Sequence, residues 1–277
     1  LLRINKKYGL IPVFGGKKMN IIVCVKNVPF TQEVDLALDA SRQDIRKDNL
    51  VYVINEWDNY AIEEAIRIKE QSGGHVTAVT LGKEADEEVL RRCLAMGADE
   101  AIRIEPGNLK PDASMTAAML AEVVKTLPHD LVLTGVQSDD FNNGITGGLM
   151  AERLGLAHAA VVNSIKPSDG KAQITIELEG GQDEMSLIDL PALFAIQTGI
   201  NEPRYVSIMG IRKAAKKEIK VIQAEALGLP AADLQPDLIM EEIFMPPETE
   251  GAEMLQGDAG SLADQIVRII REKGVSL

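Results

Sequence analysis

The chain has 277 residues, 45% of them apolar and 26% charged, with a formal net charge of −13. That composition suits one large globular domain or two small ones and excludes wholesale disorder and a collagen-like chain. The acidic excess opposes a general nucleic-acid binder, and an aromatic content of 4% leaves little for base stacking.

No apolar run reaches the roughly 18 residues of a membrane span, so no direct membrane insertion is expected. Cys24 and Cys93 sit singly inside apolar segments, and His75, His129 and His158 are scattered. No CxxC or Cys/His cluster exists, so no metal site is expected, and the chain reads as a reduced, cytoplasmic protein.

Residues 1–18 carry five basic and no acidic residues. Their apolar part, Gly9 to Phe14, is too short for a signal-peptide core. Met19 stands immediately before a strong strand and is taken as the natural start. Residues 1–18 are therefore expected to be an N-terminal extension, non-native or disordered.

From there the elements alternate. Ile21 to Val25 is a buried parallel strand by its β-branched run. Residues 31–50 are polar and irregular. Asn55 to Asp58 precedes a helix with Ala61, Ile62, Ala65, Ile66 and Ile68 inward and Glu63, Glu64, Arg67 and Lys69 outward. Gly73 and Gly74 stop it. A strand over 75–81, a helix over 86–96, a strand over 101–104, a helix over 115–125 and a strand over 131–133 follow.

This order gives an α/β fold: a Rossmann-like, doubly wound, mainly parallel sheet over 19–212. Residues 172–179 and 185–188 alternate around Gly180 and Gly181 and read as an added β-hairpin. Residues 191–198 form another strand. From 213 to 277 the chain reads as an extended C-terminal arm, acidic and weakly periodic. It ends in an amphipathic helix from about Ser261 to Lys273, with Leu262, Ile266, Ile269 and Ile270 on one face. Such an arm has little of its own to bury, which calls for a partner chain.

Gly135 to Gly148 carries the strongest chemical signal. Ligands of doubly wound sheets bind beyond the carboxyl ends of the strands, and this loop runs out of one strand into a helix over 149–156. Its glycines and asparagines permit unusual backbone angles, and free N–H groups at the helix start attract phosphate. A plain loop with a capped helix is the alternative. Neither a Walker lysine nor GxGxxG is present, which disfavours a P-loop ATPase and a standard dinucleotide fold.

The turn Asn201 to Tyr205 reads either as structural, pinned by Pro203 and by Arg204 on a carboxylate, or as functional. The basic run Arg212, Lys213, Lys216, Lys217 and Lys220 is a solvated helix end or a docking patch. By pattern, Glu177 is an ordinary exposed strand carboxylate and Cys24 a small buried hydrophobe.

Taken together, MNIIVCVKNVP from Met19, NEWDNYAIEEAIRIKE from Asn55, VTAVTLG from Val76, LAMGADEAI from Leu94, DLVLTGVQSDD from Asp130, MAERLGL from Met150 and NEPRY from Asn201 resemble the beta subunit of electron transfer flavoprotein, the FixA-type family. The resemblance spans residues 19–277. It implies a subunit that pairs with a larger α subunit, holds a structural AMP and helps enclose an FAD shared with that α subunit. Electrons would pass from acyl-CoA or related dehydrogenases to a membrane quinone oxidoreductase, with no catalytic residue in this chain.

By position the resemblance assigns Cys24, Asn55, Leu81, Gln137 and Asp140 to the nucleotide pocket. Asn142, Asn143, Gly144, Ile145 and Thr146 become its phosphate cradle. It puts Glu177 near the flavin and gives Arg204, Tyr205, Ile208, Lys213 and Lys216 to partner docking. In electron-bifurcating relatives a second FAD, reduced by NADH, replaces the AMP. Thr146 favours AMP, because its hydroxyl suits a terminal phosphate. An adenylating enzyme is disfavoured because KNVPFTQ, after the first strand, lacks a pyrophosphate-gripping loop. A stand-alone ATP- or AMP-binding stress-type module is disfavoured because the arm does not close on itself.

Overall fold

The computed structural model describes residues 18–32, 34–247 and 251–275. The expected extension falls outside the described residues except for Lys18. The described residues fall into two compact units, one within 18–37 and 46–241, the other within 38–45 and 242–275.

The larger unit is built on a nine-stranded sheet. Its strands are β1 (Met19–Cys24), β4 (Gly74–Leu81), β5 (Glu100–Glu105), β6 (Leu131–Gly135), β7 (Ala157–Ser168), β8 (Lys171–Leu178), β9 (Gln182–Asp189), β10 (Ala192–Ile196) and β11 (Lys220–Gln223). Their order is β11-β5-β4-β1-β6-β10-β7-β8-β9. Pairing is parallel from β11 to β7 and antiparallel from β7 through β9. β2 (Asn27–Pro29) and β3 (Tyr52–Ile54) form a separate two-stranded ladder.

The period-two pattern of the strands sorts the core onto two faces. Ile21 and Val23 of β1, Leu131 and Leu133 of β6, and Phe194 of β10 pack on one side with α1 (Glu56–Ser72) and α2 (Glu87–Met96). Ile22, Cys24, Val132 and Leu193 pack on the other with α3 (Ala113–Lys125) and α4 (Thr146–Leu154). The chain steps from β1 outward to β4 and β5, then returns through α3 to β6 on the other side of β1. β1 and β6 therefore flank the point where strand order reverses, the place beyond whose carboxyl ends doubly wound sheets bind their ligands in a crevice.

Four features differ from the sequence reading. Helix α1 begins at Glu56, so most of the NEWD segment lies inside it. Glu63 and Glu64, expected outward, are buried, because the turn at 201–204 packs over them and supplies their partners. β7 gave no clean alternation in sequence because Val161 adopts φ +58° and the ladder shifts register between Val162 and Ser164, a β-bulge. The expected arm from 213 holds packed structure in its first part: α5 (Ile208–Ala214) leads into β11, the sheet's edge strand beside β5. Ala224, Leu227, Leu229 and Leu234 then pack on the α3 side of the core.

The smaller unit contains α6 (Ala259–Glu272), whose N-terminus is capped by Asp258 accepting from Ser261 N. None of its residues is buried. A bridge between Leu38 and Ile45 and an Arg42–Glu242 ion pair at 2.8 Å also belong to this unit. Among the described residues, no helix is long and apolar enough to cross a membrane.

Candidate nucleotide crevice and surface loop

The crevice is assembled around the first turn of α1. Asp58, 6% exposed, lies below the two strand ends. Its Oδ2 accepts from Lys26 N just past β1 at 2.7 Å, and its Oδ1 accepts from Gly135 N at the end of β6 at 2.9 Å. One carboxylate thus ties the two edges together. Burial pushes Asp58 up to about 7, against the pull of these two N–H bonds. No larger residue fits at 135, because a Cβ there would lie 2.5 Å from Asp58 Oδ1 and 2.6 Å from Trp57 Cβ.

Asn55 is 1% exposed and spends its side chain on the loop instead of capping α1. Its Nδ2 donates to Gln137 O at 2.8 Å, and its Oδ1 accepts from Asp139 N at 3.0 Å. Asp139 Oδ2 in turn accepts from Glu56 N at 3.2 Å, so the loop caps the helix that holds it. The loop then turns through Asn142, whose N–H donates to Ser138 O. Asn142 and Gly144 sit at φ +51° and +64°, the left-handed region that Asn and Gly tolerate best.

Helix α4 begins without a side-chain cap, its N-cap position being Ile145. The N–H groups of its first turn have no acceptor within the helix and face the end of the loop. Beside them, Thr134 is 5% exposed, and among the described residues its Oγ1 has no hydrogen-bond partner. Gly147 allows α4 to press against it, since a Cβ there would lie 2.9 Å from that oxygen. By contrast α3, α5 and α6 are capped by Asp112, Ser207 and Asp258. An uncapped helix start next to an unpaired hydroxyl fits an anionic group such as a phosphate.

The structure therefore brings Cys24, Asn55, Leu81, Gln137, Asp140, Asn142, Asn143, Gly144, Ile145 and Thr146 to one edge of the sheet, at or beyond the ends of β4, β1 and β6. Cys24 ends β1 in the core, and its thiol is raised above its ordinary range by burial and by Asp58, which disfavours the reactive thiolate. Asp140 accepts from Lys26 Nζ at 2.6 Å. Glu177 lies elsewhere, exposed on β8 in the antiparallel extension and paired in register with Asp183.

The 201–217 region is a second arrangement. Arg204 donates from Nε and Nη2 to Glu63 and from both terminal nitrogens to Glu70, at 2.6 to 3.0 Å. Those carboxylates raise the guanidinium's pKa further. Asn201 Nδ2 donates to Tyr60 O and to Glu64, whose carboxyl is pushed up by burial. Beyond these anchors, Tyr205 is fully exposed, Ile208 is 72% exposed, and Met209 and Ile211 are exposed beside them. Lys213 and Lys216 are exposed on and just after the same short helix. Gly210 seats α5 against α2, since a Cβ there would fall 2.7 Å from Ala95 O.

Sequence reasoning missed Asp58, Lys26 and Thr134. Asp58 had a readable signal: it falls four residues before Ile62 on the inward stripe of α1, where a carboxylate needs buried partners. Nothing in the pattern distinguished Lys26 or Thr134.

The family described as electron transfer flavoprotein domain matches residues 45–227. The electron transfer flavoprotein subunit beta of Methylophilus methylotrophus is 39% identical over 261 residues, covering 92% of this chain and 98% of that protein. The corresponding subunit of Bacillus subtilis is 35% identical, with 92% and 98% covered. The caffeyl-CoA reductase-Etf complex subunit CarD of Acetobacterium woodii is 33% identical, with 93% and 100% covered. The chain belongs to the electron transfer flavoprotein beta subunit (FixA) family.

Proposed function

We propose that this chain is the β subunit of a heterodimeric, cytoplasmic electron carrier, holding AMP in the crevice between β1 and β6 and helping an α subunit enclose an FAD. The observation that carries the nucleotide reading is the uncapped start of α4 beside the unpaired Thr134 hydroxyl. The first-turn N–H groups of α4 and the Thr146 hydroxyl hold the phosphate, while Cys24, Leu81 and the Gln137–Asp140 segment line the remainder. The flavin, when bound, supplies the one-electron chemistry, and this chain contributes enclosure and electrostatics.

Glu177, exposed on β8, faces the flavin side of the partner. The residues around Tyr205 and Ile208 dock the donor, an acyl-CoA or related dehydrogenase, with Lys213 and Lys216 steering it and Arg204 positioning the loop. A membrane quinone oxidoreductase takes the electrons onward. The unburied apolar stripe Leu262, Ile266, Ile269 and Ile270 of α6 packs on the α subunit.

A second reading puts a second FAD in place of AMP, with NADH as its reductant. It is favoured by the open space at Gly144, where a Cβ would meet only Val136 O at 3.7 Å, and by the likeness to a caffeyl-CoA reductase complex subunit. Acid extraction of the purified heterodimer decides between them. One FAD and one AMP, with no reduction by NADH under anaerobic conditions, supports the first. Two FAD with rapid NADH oxidation supports the second, and absence of nucleotide from this chain overturns both.

A further inference from the structure

Lys26 is not among the residues that the sequence assigned to the nucleotide pocket, yet its side chain reaches across to the loop after β6. Its backbone is fixed on both sides: Lys26 N donates to the buried Asp58, and Lys26 O accepts from Asn55 N at 2.9 Å. From that fixed pivot the ammonium reaches the loop after β6. There it meets Asp140 Oδ1 at 2.6 Å and Ser138 Oγ at 3.5 Å, and it stands 4.6 Å from the centroid of the Phe141 ring. The Asp140 side chain is only 18% exposed, whereas that of Lys26 is 41% exposed. All three partners lie on the loop, whose other ties run to Asn55 and the first turn of α1 and, through Val136 N, to Ile196 O of β10. Lys26 is therefore a side-chain bridge from the β1 edge of the crevice to its β6 edge.

We propose that Lys26 is a latch: its ammonium, held by Asp140 and the Phe141 ring, keeps the 136–145 loop closed on the bound nucleotide and slows the nucleotide's release. This rests on the nucleotide reading above. The alternative is that Lys26 binds the phosphate directly. Its ammonium already has a carboxylate and an aromatic face, and the start of α4 offers N–H groups for the anion, so the observations favour the latch.

The experiment uses the heterodimer loaded with radiolabelled AMP and compares release rates. Lys26→Met and Asp140→Asn should each speed release about three- to ten-fold, the range of one surface ion pair plus a cation–π contact. The double exchange Lys26→Asp with Asp140→Lys should restore slow release. Added salt should speed release from the wild type and leave Lys26→Met unchanged. Wild-type rates in both single variants overturn the latch. A double exchange no slower than Lys26→Met also overturns it and makes Lys26 a direct ligand.

Amide hydrogen exchange over residues 138–144 provides a readout independent of the ligand. It should quicken in Lys26→Met and recover in the double exchange, and unchanged protection overturns the latch. If extraction finds no nucleotide in this chain, the proposed function fails, and the exchange measurement still decides whether the loop is latched.

Discussion

Two loops of this protein are moored to the same helix and end up opposite in character. The 135–146 loop hangs on the first turn of α1 through Asn55, Glu56 and Asp58. The 201–204 turn hangs on the middle of α1 through Tyr60, Glu63, Glu64 and Glu70. In the first, side chains are spent on holding backbone in place, and what remains available is the row of N–H groups at the start of α4. In the second, the anchors apart from the exposed Glu70 are buried or half-buried, and what remains available is a set of large side chains, Tyr205, Ile208, Met209 and Ile211. A crevice that offers N–H groups suits a small anion, and a ridge of exposed apolar side chains beside lysines suits a protein surface. One helix thus positions both proposed functions, and anchors and presented groups respond differently to mutation.

The largest effect should come from removing an anchor. Arg204→Ala leaves Glu63, whose side chain is 4% exposed, without its guanidinium. Breaking such a pair is expected to cost about 3 kcal/mol. Glu70, at 55% exposure, should matter little: Glu70→Gln is expected to cost under about 1 kcal/mol. Thermal melts of the two variants check the contrast, and equal losses would mean that the buried half of the pair does not dominate.

Gly135→Ala comes next. Its new Cβ must displace Asp58 or Trp57, at a cost of about 1 to 3 kcal/mol. The same change should loosen both edges of the crevice, so nucleotide content should fall together with the melting temperature. Loss of stability with full nucleotide content would separate the mooring from the pocket.

Asp58 gives a pH signature. Its folded pKa of about 7 lies above the ordinary 3.8 of an aspartate, because burial disfavours its charge. The folded protein therefore holds this proton more firmly than the unfolded chain. The associated stabilisation is complete below the unfolded pKa and is lost as pH rises through about 7. Asp58→Asn keeps the shape and removes the titration, at the expense of one of the two N–H acceptors, about 1 kcal/mol. Between pH values of about 5 and 8, the wild type should lose stability relative to Asp58→Asn. Parallel profiles would show that Asp58 does not titrate there.

Much of the sheet was legible, because its parallel strands are continuous apolar runs and its helices stop at glycines such as Gly73 and Gly97. The crevice was legible only as a place, through the loop Gly135 to Gly148. What fixes that loop was not, since Asn55, Asp58 and Lys26 act across 77 or more residues of sequence, and spacing carries no trace of such contacts. Glu63 and Glu64 misled because a charge at a helical position reads as solvated unless its distant partner is known. β7 was lost to its bulge, and β11 to the lysines around it, which are tolerated at a sheet edge.

The smallest effect on stability should come from Ile208→Ala, and there the two loops separate most cleanly. Ile208 is 72% exposed at the start of α5, and the bonds that anchor the turn are made by Asn201 and Arg204. Truncating it removes little buried area, so melting should stay within about 0.5 kcal/mol of wild type. FAD and AMP content should be unchanged, because the crevice depends on the other end of α1. If the ridge docks the electron donor, the loss appears only in electron transfer from the dehydrogenase, as a raised half-saturation concentration with a nearly unchanged limiting rate. Lys213→Ala and Lys216→Ala should act differently, weakening the reaction mainly at low ionic strength. Unchanged saturation kinetics in Ile208→Ala with the true donor would remove docking from this loop and leave its exposed side chains without a role in transfer.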